Sequence, residues 1–147
     1  MSSARAAIEG LVFAYAERMD AGDLTGVAAL FEHARYGGER GGHYEGRAAV
    51  YEVLARMVRL YDGTPRTKHV TTNLVIDVDA TAGVATARAY YTVFQATDGL
   101  ALQPIFAGRY HDRFVRVDGF WRFADRLVFV DLVGDLSKHL RADLVSR

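Results

Sequence analysis

The sequence predicts an α+β domain in which helices pack on one face of a mostly antiparallel sheet. Up to Tyr61 the apolar residues recur with helical spacing, whereas after Pro65 apolar and polar residues alternate with a period of two. Asp-Gly pairs at 98–99 and 118–119 separate alternating runs, which is a strong hairpin signal. Helices followed by hairpin-connected strands are typical of α+β folds. Because no linker, repeat or low-complexity segment interrupts the 147 residues, we expect one domain over 1–147.

The first predicted helix runs from about residue 3 to residue 20. Ser2 or Ser3 can cap its start, and Gly22 can adopt the left-handed conformation that commonly follows the end of a helix. One apolar stripe at helical spacing marks the face that we expect to be buried. This stripe consists of Ile8, Leu11, Val12, Tyr15 and Met19.

Two further helices and an irregular segment complete the first half of the chain. Asp23 is a suitable N-cap for a short second helix, and a third helix is predicted over about 47–61. Between them, the glycine-rich segment 34–46 is interpreted as a loop or a small hairpin.

Four strands are predicted in the second half, at 68–78, 84–97, 101–117 and 120–130. The last three are joined by short Asp-Gly turns and should form a meander. The tail after Asp131 is interpreted as a short terminal helix, with Asp135 or Ser137 near its start.

Composition excludes several classes of site. Eighteen basic residues balance eighteen acidic ones, so charge does not favour nucleic acid or an anionic membrane as a partner. The chain has no cysteine, and its five histidines are scattered at 33, 43, 69, 111 and 139, so we expect neither a metal nor another cofactor. No apolar run reaches the roughly 18 residues that span a bilayer, and the N-terminus does not resemble a signal peptide. We therefore expect a cytoplasmic protein.

Asp20 is the first candidate catalytic residue. It extends the apolar stripe of the first helix, so its side chain is expected to face the interior. It also lies in the last helical turn, where the helix dipole is unfavourable to a carboxylate. Burial and this dipole together predict a raised pKa for Asp20. The alternative is a surface aspartate that takes part in the turn before Asp23.

His69 is the second candidate. Strand alternation places it with Thr71, Asn73 and Val75 on one face, and places Leu74, Ile76 and Val78 on the other. A histidine on this more polar face is either exposed to solvent or directed into a cavity covered by the helices. If Asp20 binds one imidazole nitrogen, it fixes the tautomer and leaves the other nitrogen as a base.

Three stretches of sequence resemble the SnoaL-like branch of the nuclear transport factor 2-like superfamily. They are YAERMDAGD at 15–23, KHVTTN at 68–73 and GRYHDRFVRVDGFWRF at 108–123. The resemblance implies a cone-shaped fold in which a curved sheet wraps around the three helices and encloses an apolar pocket. It also implies homodimers or homotrimers that associate through their sheets.

The resemblance is greatest to the subgroup of scytalone dehydratase and the hexachlorocyclohexane dehydrochlorinase. In that subgroup an Asp at the end of the first helix and a His at the start of the strand after the third form a catalytic pair. Here the matching positions are Asp20 and His69. Further pocket candidates come from the aromatic residues and from the later strands. They are Tyr15, Tyr36, Tyr90, Tyr91, His111 and Arg126.

The function that this resemblance implies is a cofactor-independent lyase or isomerase acting on a small, apolar, cyclic substrate. His69 would remove a proton and Asp20 would orient it. Two alternatives stay open. One is a polyketide-cyclase-like aldol cyclase with Asp20 or His69 as the only base, and the other is a non-catalytic module for ligand binding or assembly.

Overall fold

Three helices precede the long strands in the computed structural model, which describes residues 3–39 and 41–141. The elements follow in the order α1 (Ala4–Asp20), α2 (Leu24–Ala29), β1 (Arg35–Gly38), β2 (His43–Glu45), α3 (Gly46–Met57), β3 (Thr67–Asp79), β4 (Val84–Thr97), β5 (Leu100–Val117) and β6 (Phe120–Val133). No helix within the described residues is long and apolar enough to cross a membrane.

All six strands form one curved sheet in the order β2-β1-β6-β5-β4-β3. Only β1 and β6 run parallel to each other, and every other pair of neighbours is antiparallel. The glycine-rich segment forms a small hairpin in which Tyr36 of β1 lies opposite Tyr44 of β2. The predicted α+β class, with its mixed and mostly antiparallel sheet, is confirmed.

The helix α1 is fixed at both ends by its sequence. The Ser3 hydroxyl accepts a hydrogen bond from the backbone N–H of Ala6, and Gly22 follows the helix with a φ of 75°. The apolar stripe of α1 packs against β3 and β6, so the helix lies across the concave face of the sheet. Its buried members are Ile8, Val12, Tyr15, Ala16 and Met19.

The third helix ends at Met57, four residues earlier than predicted. Val58 is extended and pairs with Leu140, and the N–H of Arg59 donates to the carbonyl of His139. The backbone after Met57 therefore makes its hydrogen bonds with the C-terminal segment, as a strand would. The helix stops there although the apolar side chains of residues 58–61 continue the helical spacing. The prediction of a terminal helix is wrong for the described part of this segment, because β6 continues to Val133 and a turn follows.

A bulge in β3 corrects the predicted alternation. Asn73 has a φ of 53°, and the pairing with β4 shifts between Thr72 and Val75. The shift places Leu74 and Ile76 on the core side, the same side as His69, although strict alternation assigns them to the opposite face. The concave surface of β3 therefore begins with polar residues and continues with apolar ones.

Two glycines, Gly10 within α1 and Gly22 in the turn after it, give a matched test of how the end of α1 packs. A Cβ on Gly22 would lie 1.8 Å from the carbonyl oxygen of Gly63, and its φ is left-handed, so Gly22→Ala should lower the free energy of unfolding by roughly 2–4 kcal/mol. Gly10 is exposed within α1 and has no such neighbour, so Gly10→Ala should raise it by about 0.5–1 kcal/mol. Urea denaturation measures both changes in the free energy of unfolding. Equal effects of the two substitutions would contradict the close contact and left-handed conformation of Gly22.

Candidate active site

The Asp20 carboxylate lies at the junction of α1 and β3 and accepts three hydrogen bonds. Nδ1 of His69 lies 2.6 Å from Oδ1, and Oγ1 of Thr67 donates to the same oxygen at 2.8 Å. The backbone N–H of His69 donates to Oδ2 at 2.8 Å. The two side chains of the pair are well buried, with exposed fractions of 11% for Asp20 and 4% for His69. The structure therefore brings the two predicted catalytic residues into direct contact.

Local sequence explains this contact. The helix α1 ends at Asp20, and Gly22 turns the chain two residues later, so the carboxylate projects from the last turn toward the sheet. Thr67 and His69 are two residues apart at the start of β3, so their side chains point to the same side of the strand. Both donors therefore reach the one carboxylate at the end of α1.

The pKa of Asp20 is lowered, and the prediction of a raised pKa is wrong. Burial alone raises the pKa of this carboxyl, because it disfavours the charged form. The hydrogen bond and charge of His69, together with the bonds from the His69 backbone and Thr67, outweigh burial and bring the pKa below its ordinary value of 3.8. The spacing of residues in the sequence indicated burial but not the three donors. Asp20 is therefore a carboxylate at neutral pH.

A cavity of about 180 Å³ lies between α1, α3 and the concave side of the sheet, and the imidazole of His69 forms part of its wall. This volume is close to the roughly 150 Å³ of an apolar cavity that holds one benzene molecule. Most of the wall is apolar. Its apolar residues are Met19, Leu54, Met57, Val58, Phe106, Val128, Val130, Leu136 and Leu140.

Asp20 does not line this cavity and lies behind His69. Since Nδ1 of His69 is directed at a charged carboxylate, we assign the proton of the neutral ring to Nδ1. Nε2 then carries a lone pair and is the nitrogen available to the cavity. The arrangement can place a base against a ligand without exposing the carboxylate to it.

Three of the predicted pocket tyrosines line the cavity. The hydroxyls of Tyr15 and Tyr36 lie 2.8 Å apart, so one donates to the other and one proton stays available. The Tyr91 hydroxyl donates to the carbonyl of Phe129 at 2.8 Å. Burial is the main cause that raises the pKa of all three phenols, so each keeps its proton at neutral pH. They can serve as hydrogen-bond donors.

Arg126 is fully buried but does not line the cavity. Its guanidinium makes a two-point ion pair with Asp112, at 2.8 and 2.9 Å. The same group lies 3.8 Å from the ring centre of Tyr110 and 4.3 Å from that of Tyr15. Arg126 therefore supports the aromatic wall from beneath, and its charge is compensated by Asp112.

Tyr90 and His111 lie on the outer face of the sheet, so their position does not match the predicted pocket role. Tyr90 is 55% exposed, and His111 is exposed beside Phe129. Strand alternation explains both positions, because Tyr91 and Tyr110 occupy the inward places next to them. In β5, His111 alternates with inward residues and shares its face with Arg109 and Arg113.

Three residues of the site were not among the site residues predicted from the sequence. Tyr110 lines the cavity and stacks on Tyr91 with ring centres 4.4 Å apart, and its inward position follows from the alternation of β5. Thr67 shares the face of His69, and this spacing could have identified it as a donor to Asp20. His139 also lines the cavity, but it lies in a segment without regular periodicity, so no sequence signal marked it.

The sequence profile of SnoaL-like domains matches residues 1–127. The chain belongs to the SnoaL-like domain family. A search of the curated proteins gave no match. The expected resemblance is therefore confirmed at the level of the family.

Solved structures of this superfamily resemble the chain over most of its length. A variant of Rv3472, a protein of unknown function from Mycobacterium tuberculosis, is 31% identical, with a TM-score of 0.71 over 86% of this chain and 71% of that chain. A provisionally named scytalone dehydratase from Novosphingobium aromaticivorans is 26% identical, with a TM-score of 0.70 over 89% of this chain and 86% of that chain. LinA shares the fold at 23% identity, with a TM-score of 0.71 over 90% of this chain and 89% of that chain.

The lowered pKa of Asp20 predicts how stability depends on pH. A carboxylate whose folded pKa lies below its unfolded value stabilises the fold above that value, and this contribution is lost as pH falls through the folded pKa. Asp20→Asn should therefore be less stable than the wild type near pH 7, and the difference should shrink as the pH falls below the ordinary value of 3.8. Urea denaturation at several pH values measures it. A difference that stays constant from neutral to strongly acidic pH would contradict the assigned pKa.

Proposed function

We propose that this SnoaL-like protein is a cofactor-independent lyase or isomerase, similar to a dehydratase, that acts on a small cyclic substrate. The observation that carries the proposal is the contact of 2.6 Å between Asp20 and Nδ1 of His69, with the imidazole in the wall of an apolar cavity. This arrangement leaves Nε2 as a base inside the cavity and keeps the carboxylate away from the ligand.

The charges of the pair suit proton abstraction. The lowered pKa of Asp20 keeps a negative charge beside the ring, and this charge stabilises the imidazolium that forms when Nε2 takes a proton. The surrounding apolar wall strengthens this interaction, because the effective dielectric constant inside a protein is lower than that of water. Asp20 also holds the ring in position through the tautomer that it selects.

The reaction we propose is an elimination or a proton shift. Nε2 of His69 takes a proton from a carbon next to an activating group, and the electron pair of that C–H bond forms a new double bond. In an elimination the bond to a leaving group such as hydroxide breaks at the neighbouring carbon. The hydroxyl pair of Tyr15 and Tyr36 lines the same cavity and can donate a hydrogen bond to the departing oxygen. The hydroxide then leaves as water when the imidazolium of His69 returns to it the proton taken from carbon. In an isomerisation the imidazolium returns its proton to another carbon.

The size of the cavity supports a substrate with one ring. A volume of about 180 Å³ is below the about 300–1,000 Å³ of sites for drug-sized ligands. An extended polyketide chain would need more room, so the volume favours a dehydratase-like reaction over an aldol cyclisation. The 26% identity to a protein named for scytalone dehydratase also supports this reaction class.

Substitution of the pair tests the proposal. One-ring compounds with an acidic C–H and a hydroxyl or chlorine on the next carbon would be incubated with the protein, and elimination would be followed by NMR. For a compound that is turned over, His69→Gln and Asp20→Asn should each lower kcat by about 100-fold or more, because they remove the base or its oriented tautomer.

The matched control is His111→Gln on the outer face of the sheet, which should leave turnover unchanged. Folding of each variant is checked by circular dichroism. If a folded His69→Gln protein keeps full turnover of the same compound, the proposed role of the pair is wrong.

A further inference from the structure

The cavity holds a second histidine, His139, which the proposed reaction does not use. Its residue is only 4% exposed, and it lines the cavity together with His69. The ring stacks on Phe106 with ring centres 5.5 Å apart. Within residues 3–39 and 41–141, no group makes a hydrogen bond to its buried Nδ1. The Nδ1 atom has therefore lost its contact with bulk water without gaining a partner among these residues.

The backbone around His139 is tied to the rest of the fold. The carbonyl of His139 accepts from the N–H of Arg59 at 2.9 Å, and its own N–H donates to the carbonyl of Leu136 at 3.0 Å. One residue earlier, the carbonyl of Lys138 accepts from the side chain of Gln95 at 3.1 Å. The backbone that carries the ring is therefore held in place by hydrogen bonds within the fold.

The surroundings of Nδ1 indicate the tautomer of His139. A buried N–H without an acceptor is rarer in proteins than an acceptor without a donor. Since Nδ1 has no acceptor among the described residues, the lower-energy neutral ring carries its proton on Nε2. Nε2–H is then the group available to the cavity, in contrast to His69, whose Nε2 carries a lone pair.

His139 also stays neutral at ordinary pH. Burial is the main cause that lowers its pKa to about 4. The charge that His69 carries when it is protonated acts in the same direction, and the Asp20 carboxylate opposes both. The two rings therefore differ in chemistry. His69 can accept a proton beside its carboxylate, whereas His139 offers a neutral N–H donor.

We propose that His139 is a substrate-binding residue that donates a hydrogen bond from Nε2 to a carbonyl or hydroxyl oxygen of the ligand. The cavity then selects small rings that carry such an oxygen over hydrocarbon rings of the same shape. A ring without the oxygen would leave the buried N–H unpaired, and sites of this kind reject ligands that lack the matching polar group. That this ligand is the substrate rests on the proposed function, whereas the hydrogen bond itself does not.

The test compares two ligands of nearly equal shape, cyclohexanone and methylenecyclohexane, which differ in one oxygen. Their binding to the full chain is measured by NMR titration. His139→Phe keeps an aromatic ring against Phe106 but removes both nitrogens, so it should weaken cyclohexanone binding about tenfold. Binding of methylenecyclohexane should change less than twofold. His111→Phe, the same substitution on the outer face, should change neither.

A second readout uses the wild-type protein, so it does not depend on the folding of a variant. Cyclohexanone should shift the ¹⁵N resonance of His139 Nε2, and methylenecyclohexane should not. The inference is overturned if a folded His139→Phe protein loses the same factor of affinity for both ligands. It is also overturned if cyclohexanone leaves the ¹⁵N resonance of His139 Nε2 unchanged in the wild type.

The outcomes separate this inference from the proposed function. Selective loss of cyclohexanone binding in His139→Phe supports the inference whatever the variants of Asp20 and His69 do. Full turnover by Asp20→Asn and His69→Gln would contradict only the proposed reaction. If His139→Phe changes the binding of both ligands equally, while the Asp20→Asn and His69→Gln proteins are inactive, only the role of His139 is wrong and the proposed reaction stands.

Discussion

The carboxylate of Asp20 connects the helical half of the chain to the sheet, and the site depends on the three donors that hold it. Two of these donors belong to His69 and one to Thr67. A buried carboxylate without them would have a raised pKa, whereas here the hydrogen bonds and the charge of a protonated His69 lower the pKa and keep Asp20 ionised. The ionised group orients the imidazole toward the cavity. The same contact therefore fixes the end of α1 against β3 and, in the proposed reaction, prepares His69 to act as a base.

The cavity combines an apolar wall with a few polar groups, each with a different role. His69 presents a lone pair, the Tyr15–Tyr36 pair presents a hydroxyl proton, and His139 presents a neutral N–H. The compensated charges lie outside the wall, since Asp20 sits behind His69 and Arg126 is paired with Asp112. Such a division allows charge to develop on a ligand without placing a permanent ion against it.

Much of the fold could be predicted because local periodicity and turn chemistry agree with the tertiary structure. The Asp-Gly turns at 98–99 and 118–119 brought the predicted bounds of β4, β5 and β6 close to the observed ones. The alternation of β5 is regular enough that the inward Tyr110 and the outward His111 agree with it. Features that depend on distant partners could not be predicted. The helix α3 stops early because residues 139–141 pair with its end, and the bulge at Asn73 reverses the predicted faces of β3. His139 reaches the cavity through the same distant pairing, and the three donors to Asp20 converge from a segment 47–49 residues away.

The tautomer of His69 tests the central claim most directly. Long-range ¹H–¹⁵N NMR spectra identify which ring nitrogen carries the proton in the neutral imidazole. The structure predicts a proton on Nδ1 and a lone pair on Nε2 in the wild type, and loss of this preference in Asp20→Asn. A neutral ring protonated on Nε2 in the wild type would contradict the account, because the nitrogen facing the cavity would then be unable to accept a proton.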